Sequence, residues 1–150
     1  MAFLASGAWG HVADIFGRRW AMIIPAAIGA CITPLYLFSD SYPLVAGAFI
    51  LQGAFLGAIY GQNPAYLTER FPTEVRATAS GFCYHQGAIW AGFTGPVLTY
   101  FAVGQPLGFA VPMLVATTGA AIMFIITLLF SPETKGKELV AKITLLQPAE

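Results

Sequence analysis

Charge is what this chain has least of. Only 9% of its 150 residues are Asp, Glu, Lys or Arg, whereas a soluble domain carries about a quarter, so a water-covered globule of this length is excluded. Cysteine is nearly as scarce. Cys31 and Cys83 sit in different apolar runs, and no His or Cys stands at metal-ligand spacing, so the sequence holds neither a disulfide framework nor a metal centre. Both read as small apolar fillers. A P-loop, G-x-S-x-G, H-E-x-x-H and a dinucleotide fingerprint are all missing, which removes the common nucleotide and hydrolase chemistries. Net charge is zero, which leaves no electrostatic footprint for nucleic acid. Nothing in the sequence argues for an enzyme or a bound cofactor.

Long apolar stretches fill the space that charge leaves. Hydrophobic residues make up 57% of the chain and the mean hydropathy is +0.72, values that belong to a bilayer-embedded protein. A crossing needs about 20 mostly apolar residues. Residues 20–38, 44–63, 77–102 and 108–130 supply such runs, and none contains an ionised side chain. Residues 1–9 are apolar but too short to span. They lack the basic start and cleavage site of a secretory signal, and read as the tail of a cut helix. Residues 131–150 carry lysines, glutamates and prolines and read as a solvated tail, with "GKELVAKITLL" partly helical.

The basic residues then orient the spans. Arg18 and Arg19 precede the first run, Arg70 and Arg76 lie between the second and third, and Lys135, Lys137 and Lys142 follow the fourth. Crossings alternate sides, so these stretches share one compartment. By the positive-inside rule it is the cytoplasm, which places the C-terminus inside a plasma or inner membrane. The opposite loops, 39–43 and 103–107, hold Asp40 as their sole charge.

The first charged stretch, "GHVADIFGRRW", places Gly10, Asp14, Gly17, Arg18 and Arg19 at the spacing G-x-x-x-D-x-x-G-R-R. This resembles the loop signature of the major facilitator superfamily. Ile15 stands where that pattern usually has a basic residue, a departure that suits the second-half copy between helices eight and nine. Glycines permit the tight turn, and an acid beside two arginines can form a charge-assisted clasp. An ordinary positive-inside loop is the plainer reading. "PETKG", Pro132 to Gly136, resembles the signature that follows helix twelve in sugar and metabolite transporters. The order of the landmarks implies an all-α integral membrane fold: the C-terminal portion of a twelve-helix bundle, comprising the end of helix eight and helices nine to twelve. The stretch "PAYLTERFPTEVRATASGFCYHQGAIW" is similar to the helix ten to eleven region of proton-coupled organic-acid transporters, closest to the sialate and lactate symporters. Its Glu69, Arg70, Glu74 and Arg76 can pair at the same rim as gating residues, or simply make a solvated turn.

Polar groups inside a membrane are costly unless they face a bundle interior or a water path. They gather in the second and third spans: Gln52, Tyr60, Gln62 and Asn63, then Tyr84, His85, Gln86, Trp90 and Thr94. His85 falls roughly 13 Å into a core of about 30 Å, the depth at which carriers bind their cargo. Gly81, His85, Ala88 and Gly92 share a helix face. That face either leaves room for a ligand carboxylate beside a protonatable ring or lets helices pack while His85 bonds a neighbour. Gly53, Gly57 and Gly61 favour close helix packing. The expected substrate contacts are His85, Gln86, Gln52, Asn63 and Tyr84; the expected gate residues are Gly10, Asp14, Gly17, Arg18, Arg19, Glu69, Arg70, Glu74 and Arg76.

The resemblance implies a symporter of a small organic anion, lactate, another monocarboxylate or sialate, driven by a proton gradient and completed by an N-terminal half. No Asp or Glu lies within the spans, so either His85 or a group in that half carries the proton. A sugar or aromatic-acid carrier, and a free-standing four-helix membrane protein with an assembly role, are the alternatives.

Overall fold

The computed structural model describes residues 2–104 and 108–136, and the regular structure among them is entirely helical. Helix α1 covers Ala2–Phe16, α2 Arg18–Leu37, α3 Tyr42–Thr68, α4 Arg76–Gly104 and α5 Ala110–Phe130. Each forms because an apolar run in lipid must satisfy its backbone groups within itself. Pro43 sits in the first turn of α3, where its missing N–H costs nothing.

Helices α2, α3 and α5 are long and apolar enough to cross a membrane. The remaining expected span, 77–102, lies within α4, which at 29 residues is long enough. It is not among the three because Tyr84, His85 and Gln86, with Gly81, Gly87, Gly92 and Gly95, dilute its apolar character.

Helix α2 packs between α3 and α5, and α1 lies along α3. Met22, Ile23, Tyr66 and Leu128 form the buried core, with Phe124 and Ile125 against it. Helix α4 touches α3 and α5 and buries none of its own residues. Phe82, Trp90, Phe93 and Tyr100 all face outward from it, as suits contact with hydrocarbon rather than water.

Three expectations change. The loop placed at 10–19 is mostly helix: α1 continues through Phe16, and the break is Gly17 alone, at φ 101°. Asp14 and Arg18 stand four residues apart and pair across that break, a helical spacing that charge content had disguised as loop. Helix α3 runs to Thr68 with Pro64 inside it, leaving only 69–75 as the connection. The segment after α5 docks back onto the bundle, with Thr134 only 3% exposed. The remainder of the expected tail, with Lys137 and Lys142, lies outside the described residues, as do 105–107.

Candidate functional site

The charged ends of α1, α2, α3 and α5 meet at one end of the bundle, and Arg18 is the hub. Its Nη1 lies 3.0 Å from Asp14 on α1, its Nε donates to Glu69 at the end of α3 at 3.2 Å, and Nη1 also donates to Gln62 of α3 at 3.4 Å. Glu69 has a second partner, because Thr134 donates its hydroxyl to the other carboxylate oxygen. The Arg18 and Glu69 side chains are 20% and 18% exposed, so this pair is less screened than a surface ion pair.

Glu133 completes the cluster. Its Oε1 accepts the N–H of Arg18 at 2.9 Å, Thr134 at 3.0 Å and Lys135 at 3.1 Å, and Oε2 accepts the N–H of Arg19 at 3.2 Å. Helix α2 begins at Gly17, which offers no side-chain cap, so a carboxylate from the far end of the chain takes the cap's place. An anion at a helix N-terminus satisfies orphan N–H groups and meets the positive end of the helix dipole. Burial pushes the Glu133 carboxyl up, but the N–H groups of Lys135, Arg19, Arg18 and Thr134 outweigh it and hold the acid below its usual 4.5. Gly17 makes room: a Cβ there would lie 2.8 Å from Glu133 Oε2.

Neighbouring contacts tie the same helices. Arg19 Nη1 donates to the carbonyls of Leu129 at 3.4 Å and Ser131 at 3.2 Å, closing the C-terminus of α5. Tyr66 donates to the Pro132 carbonyl at 2.9 Å, and Lys135 to the Ile15 carbonyl at the end of α1. Arg70 stacks over the Tyr66 ring at 5.1 Å, which leaves it beside the cluster rather than in it. Arg76 turns into its own connection and donates to the Phe71 carbonyl at 3.0 Å. Glu74 is exposed on that connection. Gly10 sits where an added Cβ would be 3.8 Å from Gln62.

The expected gate residues therefore divide. Asp14, Arg18, Arg19 and Glu69 come together, while Arg70 and Glu74 lie on the α3–α4 connection and Arg76 at the start of α4. Sequence reading passed over Glu133, Thr134, Tyr66 and Gln62 as members. The available signal was an acid just past the last span together with a helix start lacking its own Ser, Thr, Asp or Asn.

The expected substrate contacts do not share one cavity. Gln52 is 6% exposed and bridges α3 to α2, donating to the Gly29 carbonyl at 3.4 Å and Thr33 Oγ1 at 3.3 Å. It also lines a cavity of about 440 Å³ together with Thr94, Thr117 and apolar residues of α2, α3, α4 and α5. His85 and Tyr84 line another, of about 240 Å³, with Pro64, Leu67, Thr68, Ser80 and Gly81 between α3 and α4. The His85 and Tyr84 rings meet edge to face with centroids 5.8 Å apart. Gln86 and Asn63 are half-buried and line neither cavity.

The profile of the Major Facilitator Superfamily matches residues 1–147. This chain belongs to that superfamily, and it is an integral membrane chain of a transporter family rather than an enzyme. It is 33% identical over 66% of its length to a cis,cis-muconate transport protein of Acinetobacter baylyi. It is 32% identical over 87% of its length to an inner membrane metabolite transport protein of Escherichia coli K12. A carboxylic acid transporter protein homolog of Saccharomyces cerevisiae is 26% identical over 66% of the chain. The matched regions cover 24%, 30% and 16% of those relatives, so the chain spans no more than about a third of their length. No solved structure matches it.

Proposed function

We propose that this chain forms the C-terminal part, from the end of helix eight through helix twelve, of a carrier that moves a small organic anion with protons by alternating access. The cargo is lactate, another monocarboxylate or sialate, and the proton gradient supplies the energy without a bound cofactor. The carrier sits in the cell membrane with its C-terminus in the cytoplasm, and an N-terminal half closes the substrate path. His85 and Tyr84 on one cavity and Gln52 on another border that path, Gln86 and Asn63 flank it, and the rim residues around Arg18 act as the gate.

One observation carries the reading: a single arginine joins α1, α3 and, through Glu69 and Thr134, the segment after α5 at one end of the bundle. Such a network holds one end shut and gives way one hydrogen bond at a time. Exposed ion pairs are worth under about 1 kcal/mol each, and the partly buried Arg18–Glu69 pair is less screened than those, so it biases the gate more strongly than a surface pair would. The organic-anion assignment is supported by the muconate and carboxylic-acid names of two relatives.

Uptake by cells expressing the complete transporter tests it. Radiolabelled lactate should accumulate, collapse with a protonophore, and be competed by unlabelled lactate or sialate more strongly than by benzoate or glucose. Strong competition by glucose alone, or indifference to the protonophore, would replace this reading with a sugar or uncoupled carrier.

A further inference from the structure

The small cavity between α3 and α4 carries an asymmetry that its lining residues make plain. His85 Nδ1 lies 2.8 Å from the Gly81 carbonyl oxygen. A carbonyl can only accept, so Nδ1 must carry a hydrogen, and the neutral ring then presents a bare lone pair at Nε2. Two hydroxyls nearby are spoken for. Thr68 donates to the Ala65 carbonyl at 2.9 Å and Ser80 to the Arg76 carbonyl at 2.5 Å. The groups lining the cavity with His85 are Tyr84, Ser80 and Gly81 on its own helix and Pro64, Leu67 and Thr68 on α3, and none is charged. While His85 is neutral, the side chains of this wall offer an anion the Tyr84 hydroxyl as their one uncommitted donor.

We infer that His85 is the group through which proton and carboxylate are bound together. A proton from water adds to the Nε2 lone pair, and the resulting imidazolium donates Nε2–H to the substrate carboxylate. When the site opens to the other side, both leave, and the ring returns to its neutral form with Nδ1 still on Gly81. The inference rests on the organic-anion reading above. Residues 20–38, 44–63, 77–102 and 108–130 contain no Asp, Glu or second His, so no other carboxylate or imidazole in these spans could take up the proton.

The test uses the complete transporter in proteoliposomes with radiolabelled lactate. His85→Gln keeps a fixed N–H donor and removes the titration. Lactate–lactate exchange should weaken and lose its dependence on pH, while accumulation driven by a proton gradient should fall from about tenfold per pH unit to none. Full gradient-driven accumulation in His85→Gln, with an unchanged pH profile, would overturn the inference. Wild-type protein that neither takes up lactate nor responds to the gradient would instead overturn the organic-anion reading. If the variant does not fold, the wild type still decides the matter by nitrogen NMR of its labelled imidazoles. Adding lactate near neutral pH should convert one ring from the Nδ1–H neutral form to the doubly protonated form, and the absence of any responding ring would refute the proposal.

Discussion

Glu133 and Gly17 form a pair in which each residue explains the other. The carboxylate can reach the start of α2 only because position 17 has no side chain, and Gly17 holds φ 101°, a conformation that costs other residues about 1 kcal/mol or more. Gly17→Ala should therefore lower stability by roughly 2 kcal/mol, combining backbone strain with displacement of Glu133, read as a drop in Tm in detergent. Glu133→Gln should cost about 0.5–2 kcal/mol at neutral pH. The pH dependence follows from the depressed acidity of Glu133. A carboxyl held below its usual range adds stability that is fully present above the unfolded value and is lost as pH falls through the folded one. The Tm gap between wild type and Glu133→Gln should thus be wide at pH 7 and close in acid. An unchanging gap would mean that the charge of Glu133 does not matter.

At the scale of helices, the glycine strip of α3 separates close packing from open space. A Cβ on Gly61 would fall 2.7 Å from the Ser6 side chain and 3.3 Å from its backbone, whereas one on Gly53 meets nothing within 4 Å. Gly61→Ala should push α1 off α3 at a cost of about 1–3 kcal/mol, while Gly53→Ala should be neutral or slightly stabilising through helix propensity. Equal effects on Tm would refute this assignment of the strip. Gln52→Leu removes a buried bridge between α2 and α3 and should cost about 0.6 kcal/mol, the average for hydrogen bonds between membrane helices, and no more than about 1.7.

Helices were the legible part of the sequence, because ionised residues stop where hydrocarbon begins. The first turn was not, since Asp14 and Arg18 look like loop residues in composition and like helix neighbours only in spacing. The docking of Glu133 and Thr134 was hidden for another reason. Composition marks a polar segment as solvated, and only long-range hydrogen bonds, which no local pattern encodes, draw it back onto α2 and α3. For the candidate site, sequence singled out Gln52 and His85 but not their placement: they line different cavities because α4 stands apart from the α2–α3 pair.

Across the whole molecule, charge asymmetry makes a prediction about orientation. With Cys31 and Cys83 replaced, a cysteine introduced at Asp40 should react with a membrane-impermeant maleimide added to intact cells, and one at Lys135 should react only after permeabilisation. The reverse pattern would invert the proposed topology and move the Arg18 network to the outer face.

The hydrogen bond from Arg18 N–H to Glu133 joins residues 115 positions apart, so the two partners leave the ribosome at very different times. Synthesis runs from the N-terminus, and the first turn of α2 must wait with its amides bare to water until the stretch beginning at Pro132 has emerged. A nascent chain halted before that point would present an unfinished helix start at the membrane surface.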